Sequence, residues 1–215
     1  RCLLPRTFVD TNRVIDTDRP ATASAEGGVT PGIVEYVRDP ADLALLLEGY
    51  AGYRDLVTRA YDAVCPAGGV GLMLHSYAPR EVDVPVDERI VERLREAYAP
   101  DRVETWPLRA EVDMITRTPD GECLADPDLI EALKGSLGAA GLDVHEGKTY
   151  ALHPSTLAHA LARRHPASTL CLEMRRDLLV EAFTPFEEMP GEPTRTHAIA
   201  RALSAGIQAY WGATG

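Results

Sequence analysis

The stretch Thr169-Leu170-Cys171-Leu172 is a short apolar run that stops abruptly on Glu173-Met174-Arg175-Arg176. The run Val70–Leu74 has the same form and stops on His75-Ser76. Apolar runs of this length, bounded by turn or breaker residues, are typical of buried strands in a parallel sheet. Ligands bind outside the carboxyl ends of such strands in open α/β sheets. We therefore expect His75 and Glu173 to lie at one rim of the sheet.

A third run near the start of the chain, Thr7–Val9, stops on Asp10-Thr11-Asn12-Arg13. The same argument predicts a strand over Thr7–Val9 and brings Asn12 and Arg13 to the same rim. An Arg guanidinium there binds a carboxylate through two parallel hydrogen bonds, and the Asn adds a neutral donor. Taken alone, Arg13 is better explained by a surface ion pair with Asp16 or Asp18.

The segments between these runs show helical periodicity and capping signals. Asp39-Pro40 and Asp126-Pro127 each place a capping carboxylate before a proline suited to the first helical position. Helices are predicted from Asp39 to Val64, after Pro85 over residues 90–98, from Asp126 to Gly141, from Pro154 to Arg164 and from Thr196 to Trp211. Further strands are predicted over Arg102–Trp106 and Glu111–Thr116, and a surface loop over Pro20–Gly32.

This alternation of strands and helices predicts an α/β fold. We expect a three-layer sandwich around a mixed, mostly parallel sheet with helices on both faces, formed as one domain by residues 1–215. Gly69 and Gly71, just before His75, suit a close approach of another part of the chain to the second run.

Composition restricts the partners of this chain. It has 215 residues, 45% of them hydrophobic, and a formal net charge of −11 without any block of Lys or Arg. Nucleic acid and anionic membranes are therefore poor partners. No apolar run approaches the roughly 18 residues of a membrane span. Cys2, Cys65, Cys123 and Cys171 form no CxxC pair, which favours a reducing, cytoplasmic setting.

His75 and Glu173 are the residues best suited to chemistry. Neutral imidazole is a common zinc ligand, although a lone histidine at a strand end is more often structural. Burial raises the pKa of a carboxylate, which suits Glu173 to act as a base near neutral pH. The alternative is a buried Glu173 that pairs with Arg175 or Arg176.

The other signals are weaker. His153, His159 and His165 lie on or beside one predicted helix without the spacing of a metal-binding pair, and we interpret them as structural or exposed. His153, next to the helix start at Pro154, is the best placed of them for a site role. The sequence has no Walker loop, no GxGxxG after a strand and no GxSxG elbow. Nucleotide-dependent chemistry and serine hydrolysis therefore have no support.

Taken together, three segments resemble the N-formylglutamate amidohydrolases. Arg6–Arg13 resembles that family's R-x-x-x-D-x-N-R segment, Gly71–Ser76 resembles the segment of its later zinc histidine, and Leu172–Arg176 resembles its glutamate segment, L-E-x-N/R-R. The same order of motifs occurs in the wider zinc carboxypeptidase-like superfamily. The resemblance spans most of the chain, from Arg6 to about Leu179.

The resemblance implies a single zinc ion bound by His75 and two earlier ligands. Zinc would lower the pKa of a bound water to roughly 7 and polarise the scissile carbonyl. Glu173 would take the proton from that water and pass it to the leaving amine.

The resemblance also implies how a substrate would bind. Asn12 and Arg13 would hold a substrate carboxylate. Arg175 or Arg176 would hold a second carboxylate or stabilise the developing oxyanion. The implied reaction is amide hydrolysis of an N-acyl amino acid, such as that of N-formyl-L-glutamate to formate and glutamate.

The sequence departs from this family in two places. The family's first two zinc ligands, a His and a Glu, precede the Asn-Arg segment, whereas none of the eleven residues before Asn12 is His or Glu. We expect either that an N-terminal segment carrying them precedes this sequence, or that the chain is a relative without the metal. Met174-Arg175 also replaces the commoner Ile-Asn pair, which leaves substrate specificity open.

Three functions follow from these observations. The first is a zinc-dependent hydrolase of a small acidic N-acyl amino acid, with a related zinc carboxypeptidase or deacylase as its neighbour. The second is a metal-free, non-catalytic relative that binds a carboxylate through Arg13. The third is an acidic interaction protein in which these residues are structural. An oligomer is compatible with each function, and a sheet without its first strand would expose an edge prone to association.

Overall fold

The computed structural model describes residues 6, 8–15, 32–34, 36–85 and 89–214. Its strands are β1, Gly71–Tyr77; β2, Val112–Ile115; β3, Val144–Glu146; and β4, Thr169–Arg175. They form a four-stranded sheet in the order β1-β4-β2-β3. The β1–β4 and β2–β3 pairs are parallel, and the β2–β4 pair is antiparallel. The sheet is therefore mixed and mostly parallel, as predicted.

The described α-helices are α1, Pro40–Val64; α2, Ile90–Ala97; α3, Pro127–Ala139; α4, Leu157–Arg164; and α5, Pro193–Thr214. Two of them begin as the sequence predicts: the Asp39 and Asp126 carboxylates accept backbone N–H groups of the first turn, and a proline stands first in each helix. These carboxylates satisfy donors that a helix start leaves unpaired. The helix α4 begins later than predicted, because the Thr156 hydroxyl caps it by accepting the His159 N–H at 3.2 Å.

Different helices cover the two faces of the sheet. On one face, alternate residues of β2 and β4 pack against α3 and α5; these residues are Val112, Met114, Leu170, Leu172 and Met174 from the strands, with Leu129, Leu133, Leu137, Ile199 and Leu203 from the helices. On the other face, Ile115 and Cys171 pack against Ala158 and Ala162 of α4. The prediction of an α/β sandwich with helices on both faces is confirmed.

The long helix α1 packs closely against the start of β1. A Cβ atom on Gly71 would stand 2.2 Å from the ring of Tyr61, and one on Gly69 would stand 2.3 Å from the side chain of Val64. The predicted close approach at these two glycines is confirmed. The Asp62 carboxylate, also on α1, accepts hydrogen bonds from Arg164 at the end of α4.

Two strand predictions are wrong. Among the described residues of the first run, Val9 makes one isolated bridge to Ile33 and forms no strand. The Asp10 carboxylate accepts the Asn12 N–H at 3.0 Å, which turns the chain directly after Val9. The segment Arg102–Trp106 contains a short 3₁₀ helix, in which the Thr105 hydroxyl donates to the Arg102 carbonyl at 2.7 Å. Such local hydrogen bonds compete with a strand ladder.

Strand ends also differ from the prediction. His75 and Glu173 lie inside β1 and β4, two residues before each strand ends, because backbone pairing continues through polar residues. The strand β3 is missed by sequence reasoning, since Val144-His145-Glu146 has no apolar run. The predicted loop over Pro20–Gly32 lies outside the described residues, apart from Gly32.

The described cysteines, Cys65, Cys123 and Cys171, are free thiols, and the first and last are buried. No helix in the described part of the chain has the length and apolar character needed to cross a membrane. The cytoplasmic setting stays a prediction.

Candidate active site

A cavity of about 440 Å³ lies on the α4 face of the sheet. Five of the six predicted site residues line it, namely Asn12, Arg13, His75, Glu173 and Arg176. Arg175 lies outside the cavity lining. Its Nε donates to Asp177 at 2.8 Å and its Nη2 to Glu111 at 3.3 Å, and these two carboxylates hold it away from the cavity.

Strand register sets three ionisable side chains in a row on this face. His75 pairs with Glu173 across β1 and β4, and Glu173 pairs with Asp113 across β4 and β2. Directly paired residues point to the same face of a sheet. Asp113 has an exposed fraction of 0%, and sequence reasoning missed it. Its place in the predicted strand Glu111–Thr116 was the available signal, because a carboxylate within a buried strand is rare.

Glu173 has the properties of a base. Burial is the main cause that raises its pKa to about 7, with a further increase from Asp113 and opposing effects from the Arg6, Arg109 and Arg176 charges. Its Oε2 atom is buried and has no hydrogen-bond partner among the described residues. A buried polar group without a hydrogen-bond partner lowers the free energy of unfolding by about 1–3 kcal/mol. Proteins tolerate such groups at functional sites more readily than elsewhere. The alternative in which Glu173 pairs with Arg175 or Arg176 is not observed among the described ion pairs.

His75 lies beside this carboxylate in its neutral form. Burial lowers the pKa of the imidazole, with a smaller contribution from the Arg6 charge. Its Nε2 atom is buried and finds no hydrogen-bond partner in the described part of the chain. A neutral imidazole with an unused nitrogen is suited to bind a metal ion or a polar ligand group.

The described residues do not complete a zinc site. A catalytic zinc ion takes three protein ligands and keeps a fourth position open. Within the described ranges, no group of three or more His, Cys, Asp or Glu side chains is placed to hold a metal ion. His75 is one suitable ligand on this face, and the described residues alone do not supply a set of three.

Backbone contacts to the start of α4 position Asn12 and Arg13. The Leu157 N–H donates to the Asn12 carbonyl at 3.2 Å, and the Val14 N–H donates to the Ser155 carbonyl at 2.8 Å. These bonds hold the segment in place, and Asn12 and Arg13 line the cavity although they are not in a strand. The Oδ1 atom of Asn12 is buried without a hydrogen-bond partner among the described residues.

Asp10 holds the cationic side chains of this segment. Its carboxylate is 5% exposed and accepts the Arg6 Nε–H at 3.0 Å, with the Arg13 Nη2 at 3.8 Å. The predicted alternative partners of Arg13, Asp16 and Asp18, lie outside the described residues.

Arg109 is a cavity residue that sequence reasoning missed. Its guanidinium carbon lies 5.3 Å from the ring centroid of Tyr77 and 5.6 Å from that of Tyr150. These two rings meet edge to face, with centroids 6.5 Å apart. No local pattern around Arg109 marks it, because the residues that surround it come from β1 and from the loop after β3.

Arg176 and His153 are two further polar residues of the cavity lining. The Arg176 Nη2 donates to the Ser76 carbonyl at 3.1 Å, so this guanidinium is held by neutral oxygen atoms. The His153 Nδ1 accepts the Ser155 N–H at 3.2 Å, which places the proton of a neutral ring on Nε2.

Comparisons with known proteins identify the fold. No protein-family model matches this sequence, and no curated protein matches it. Among solved structures, an N-formylglutamate amidohydrolase from Ralstonia eutropha is similar with a TM-score of 0.59 at 19% identity, over 96% of this chain and 73% of that one. A gene product from Agrobacterium tumefaciens is similar with a TM-score of 0.52 at 16% identity, over 96% of this chain and 68% of that one. At these identities the likeness shows a shared fold.

Proposed function

We propose that this protein hydrolyses the amide bond of a small acidic N-acyl amino acid, such as N-formyl-L-glutamate. The observation that carries the proposal is the position of Glu173, a buried carboxylate with a pKa of about 7 in a cavity lined by arginines. A base with this pKa is half deprotonated near neutral pH, which suits proton transfer. The fold shared with an N-formylglutamate amidohydrolase supports the same reaction class.

Glu173 is the proposed general base and acid. In its deprotonated form it takes a proton from water while the water oxygen bonds to the carbonyl carbon. As the carbon–nitrogen bond breaks, Glu173 gives that proton to the leaving nitrogen. The products are a carboxylic acid, formate for a formyl substrate, and the free amino acid.

The cationic side chains have separate proposed roles. Arg13 binds the α-carboxylate of the substrate through its guanidinium, with Asn12 as a neutral partner. Arg176 faces the developing oxyanion, where a positioned positive charge lowers the barrier most. Arg175 has no role in this proposal, because two carboxylates already hold it outside the cavity.

Zinc belongs to the proposal as a cofactor with His75 as one ligand. The neutral imidazole and its buried Nε2 support this role. No catalytic step is assigned to zinc here, because the described residues supply fewer than three suitable ligands.

That shortage of ligands favours a second candidate function. A metal-free relative would bind an acidic ligand through Arg13 without hydrolysing it. Such a protein would use the same cavity, and Glu173 would remain a buried carboxylate without turnover.

Zinc content and formate release together test these functions. Elemental mass spectrometry on the dialysed chain gives the zinc bound per protein, and an enzymatic formate assay gives turnover of N-formyl-L-glutamate. We expect formate release that Glu173→Gln removes, with about one zinc per chain. Binding of N-formyl-L-glutamate without formate release, and with essentially no zinc, would overturn the hydrolase proposal in favour of the binding protein.

A further inference from the structure

We propose that Arg109 is the residue that determines specificity for a second carboxylate, carried on the substrate's side chain, with Tyr77 and Tyr150 fixing its orientation. The inference rests on the proposed function and assigns a residue to the acidic side chain of the substrate. It gives the cavity two anion-binding positions, one at Arg13 and one at Arg109.

Two aromatic rings, those of Tyr77 and Tyr150, contact the guanidinium of Arg109. A guanidinium that packs its face on aromatic rings keeps its N–H groups in the perpendicular plane, where they match the two oxygens of a carboxylate. Here the guanidinium carbon lies 5.3 and 5.6 Å from the centroids of the Tyr77 and Tyr150 rings, and the planes of these rings are 76° apart. Its Nε atom is buried and has no hydrogen-bond partner among the described residues.

Hydrogen bonds hold the backbone of Arg109 and one of the two rings that contact its side chain. Its backbone N–H donates to the Pro79 carbonyl at 2.9 Å, and its carbonyl accepts the Arg175 Nη1 at 3.3 Å. Tyr77 belongs to β1, and its hydroxyl donates to the Ala110 carbonyl at 2.6 Å. A preorganised guanidinium loses little freedom when it binds an anion.

Asp113 fixes the second ring of this arrangement. Its buried carboxylate accepts the N–H groups of Lys148 and Thr149 at 3.0 and 2.6 Å, directly before Tyr150. The turn that carries Tyr150 begins at Gly147, whose φ of 63° suits glycine. The interior of the sheet thereby sets the position of Tyr150, and with it the orientation of Arg109.

The two cationic positions differ in how their charge is balanced. Arg13 shares the Asp10 carboxylate with Arg6. No described carboxylate forms an ion pair with Arg109, and Arg176 beside the same cavity is held by Ser76. A guanidinium at a cavity wall that makes no ion pair with a described carboxylate favours an anion from solution, and a substrate with two carboxylates supplies one for each position.

Calorimetric binding of small acids tests Arg109 independently of turnover. Glutarate carries two carboxylates, and glutaramate replaces one of them with a neutral amide of the same shape. We expect the full chain to bind glutarate at least about 10-fold more tightly than glutaramate, because a charge-assisted hydrogen-bond pair is worth that much. In Arg109→Gln the two affinities should become nearly equal, whereas Arg117→Gln, which alters an exposed arginine outside the cavity, should keep the wild-type preference.

The tyrosine variants test the orientation. Tyr150→Leu should weaken the preference for glutarate, and Tyr150→Phe should retain it because the ring is kept. Equal affinity of the unaltered chain for the two acids, or an unchanged preference in Arg109→Gln, would overturn the inference. Failure of formate release with the preference for glutarate intact would overturn only the hydrolase, and the Arg109 position would stand.

Discussion

Glu173 of β4 and Asp113 of β2 are direct partners in the antiparallel pair of the sheet, and both point toward the cavity face. Negatively charged carboxylates on paired residues repel each other. The charge of Asp113 therefore adds to the effect of burial, which is the main cause that raises the pKa of Glu173 to about 7. Asp113 uses its oxygens to bind two backbone N–H groups, whereas the Oε2 of Glu173 binds none of the described residues. One carboxylate therefore supports the loop that carries Tyr150, and its partner remains available for chemistry.

Glu173→Gln should abolish hydrolysis and change how stability depends on pH. The pKa of Glu173 lies above its ordinary value of 4.5, so between pH 4.5 and about 7 the folded chain holds a proton that the unfolded chain has lost. The free energy of unfolding therefore falls as pH rises through this window, in total by on the order of 3 kcal/mol. Glutamine does not ionise, so the unfolding free energy of the variant should not show this decrease between pH 4.5 and about 7. Urea unfolding of both proteins at pH 5 and pH 8 measures it, and equal pH dependence in the two would contradict the assignment.

Asp113→Asn should move the acidic limb of the pH–rate profile to lower pH. Removing the neighbouring negative charge lowers the pKa of Glu173, so the base becomes active at lower pH. The asparagine amide cannot accept both loop N–H groups, and we expect a loss of about 1–3 kcal/mol in unfolding free energy. The profile of kcat/KM is the decisive measurement, since a purely structural role would reduce activity without moving the limb. Asp143→Asn, at an exposed position directly before β3, serves as the control.

Arg13→Lys should raise KM about 10-fold or more and leave kcat less affected. Lysine keeps the positive charge but loses the two parallel N–H groups that match a carboxylate. An interaction made equally in the bound substrate and the transition state appears in KM rather than kcat. Steady-state kinetics with N-formyl-L-glutamate tests this, with Arg59→Lys on the exposed side of α1 as the matched control. An unchanged KM in Arg13→Lys would mean that the substrate carboxylate binds elsewhere.

Gly71→Ala should destabilise the fold by about 1–3 kcal/mol, because its Cβ would meet the Tyr61 ring that packs α1 onto β1. Gly135→Ala provides a matched substitution in α3, where a Cβ would meet nothing within 4 Å. There the higher helix propensity of alanine should stabilise the protein by about 0.5–1 kcal/mol. Thermal or denaturant unfolding of both variants measures the difference. Equal stability of the two variants would show that α1 does not need this close contact.

Local signals were sufficient to predict the helices. The Asp39-Pro40 and Asp126-Pro127 starts and the apolar stripe of α3 were all predicted from the sequence, because capping and periodicity depend on neighbours within a turn or two. The strand predictions were less complete. The segment Arg102–Trp106 has the composition of a strand but no partner strand, and β3 has a partner but no apolar run.

The residues of the candidate site also differ in whether local sequence signals predicted them. Asn12, Arg13, His75 and Glu173 were predicted as site residues from their chemistry and from the apolar runs that precede them, and the structure places them around one cavity. Which of Arg175 and Arg176 faces that cavity was not predictable, because the choice depends on carboxylates at residues 111 and 177.

The sequence alone predicted most of the fold and the type of chemistry that we propose. It did so through residue chemistry, helix caps and apolar periodicity, which depend only on residues close together in the chain. The row of His75, Glu173 and Asp113 arises from strand register, which joins residues 60 and 98 positions apart in the chain. The orientation of Arg109 depends on two tyrosines, one on β1 and one on the turn held by Asp113. Register and loop packing are settled by burial of the whole core, and for that reason these relationships exist only in the folded protein.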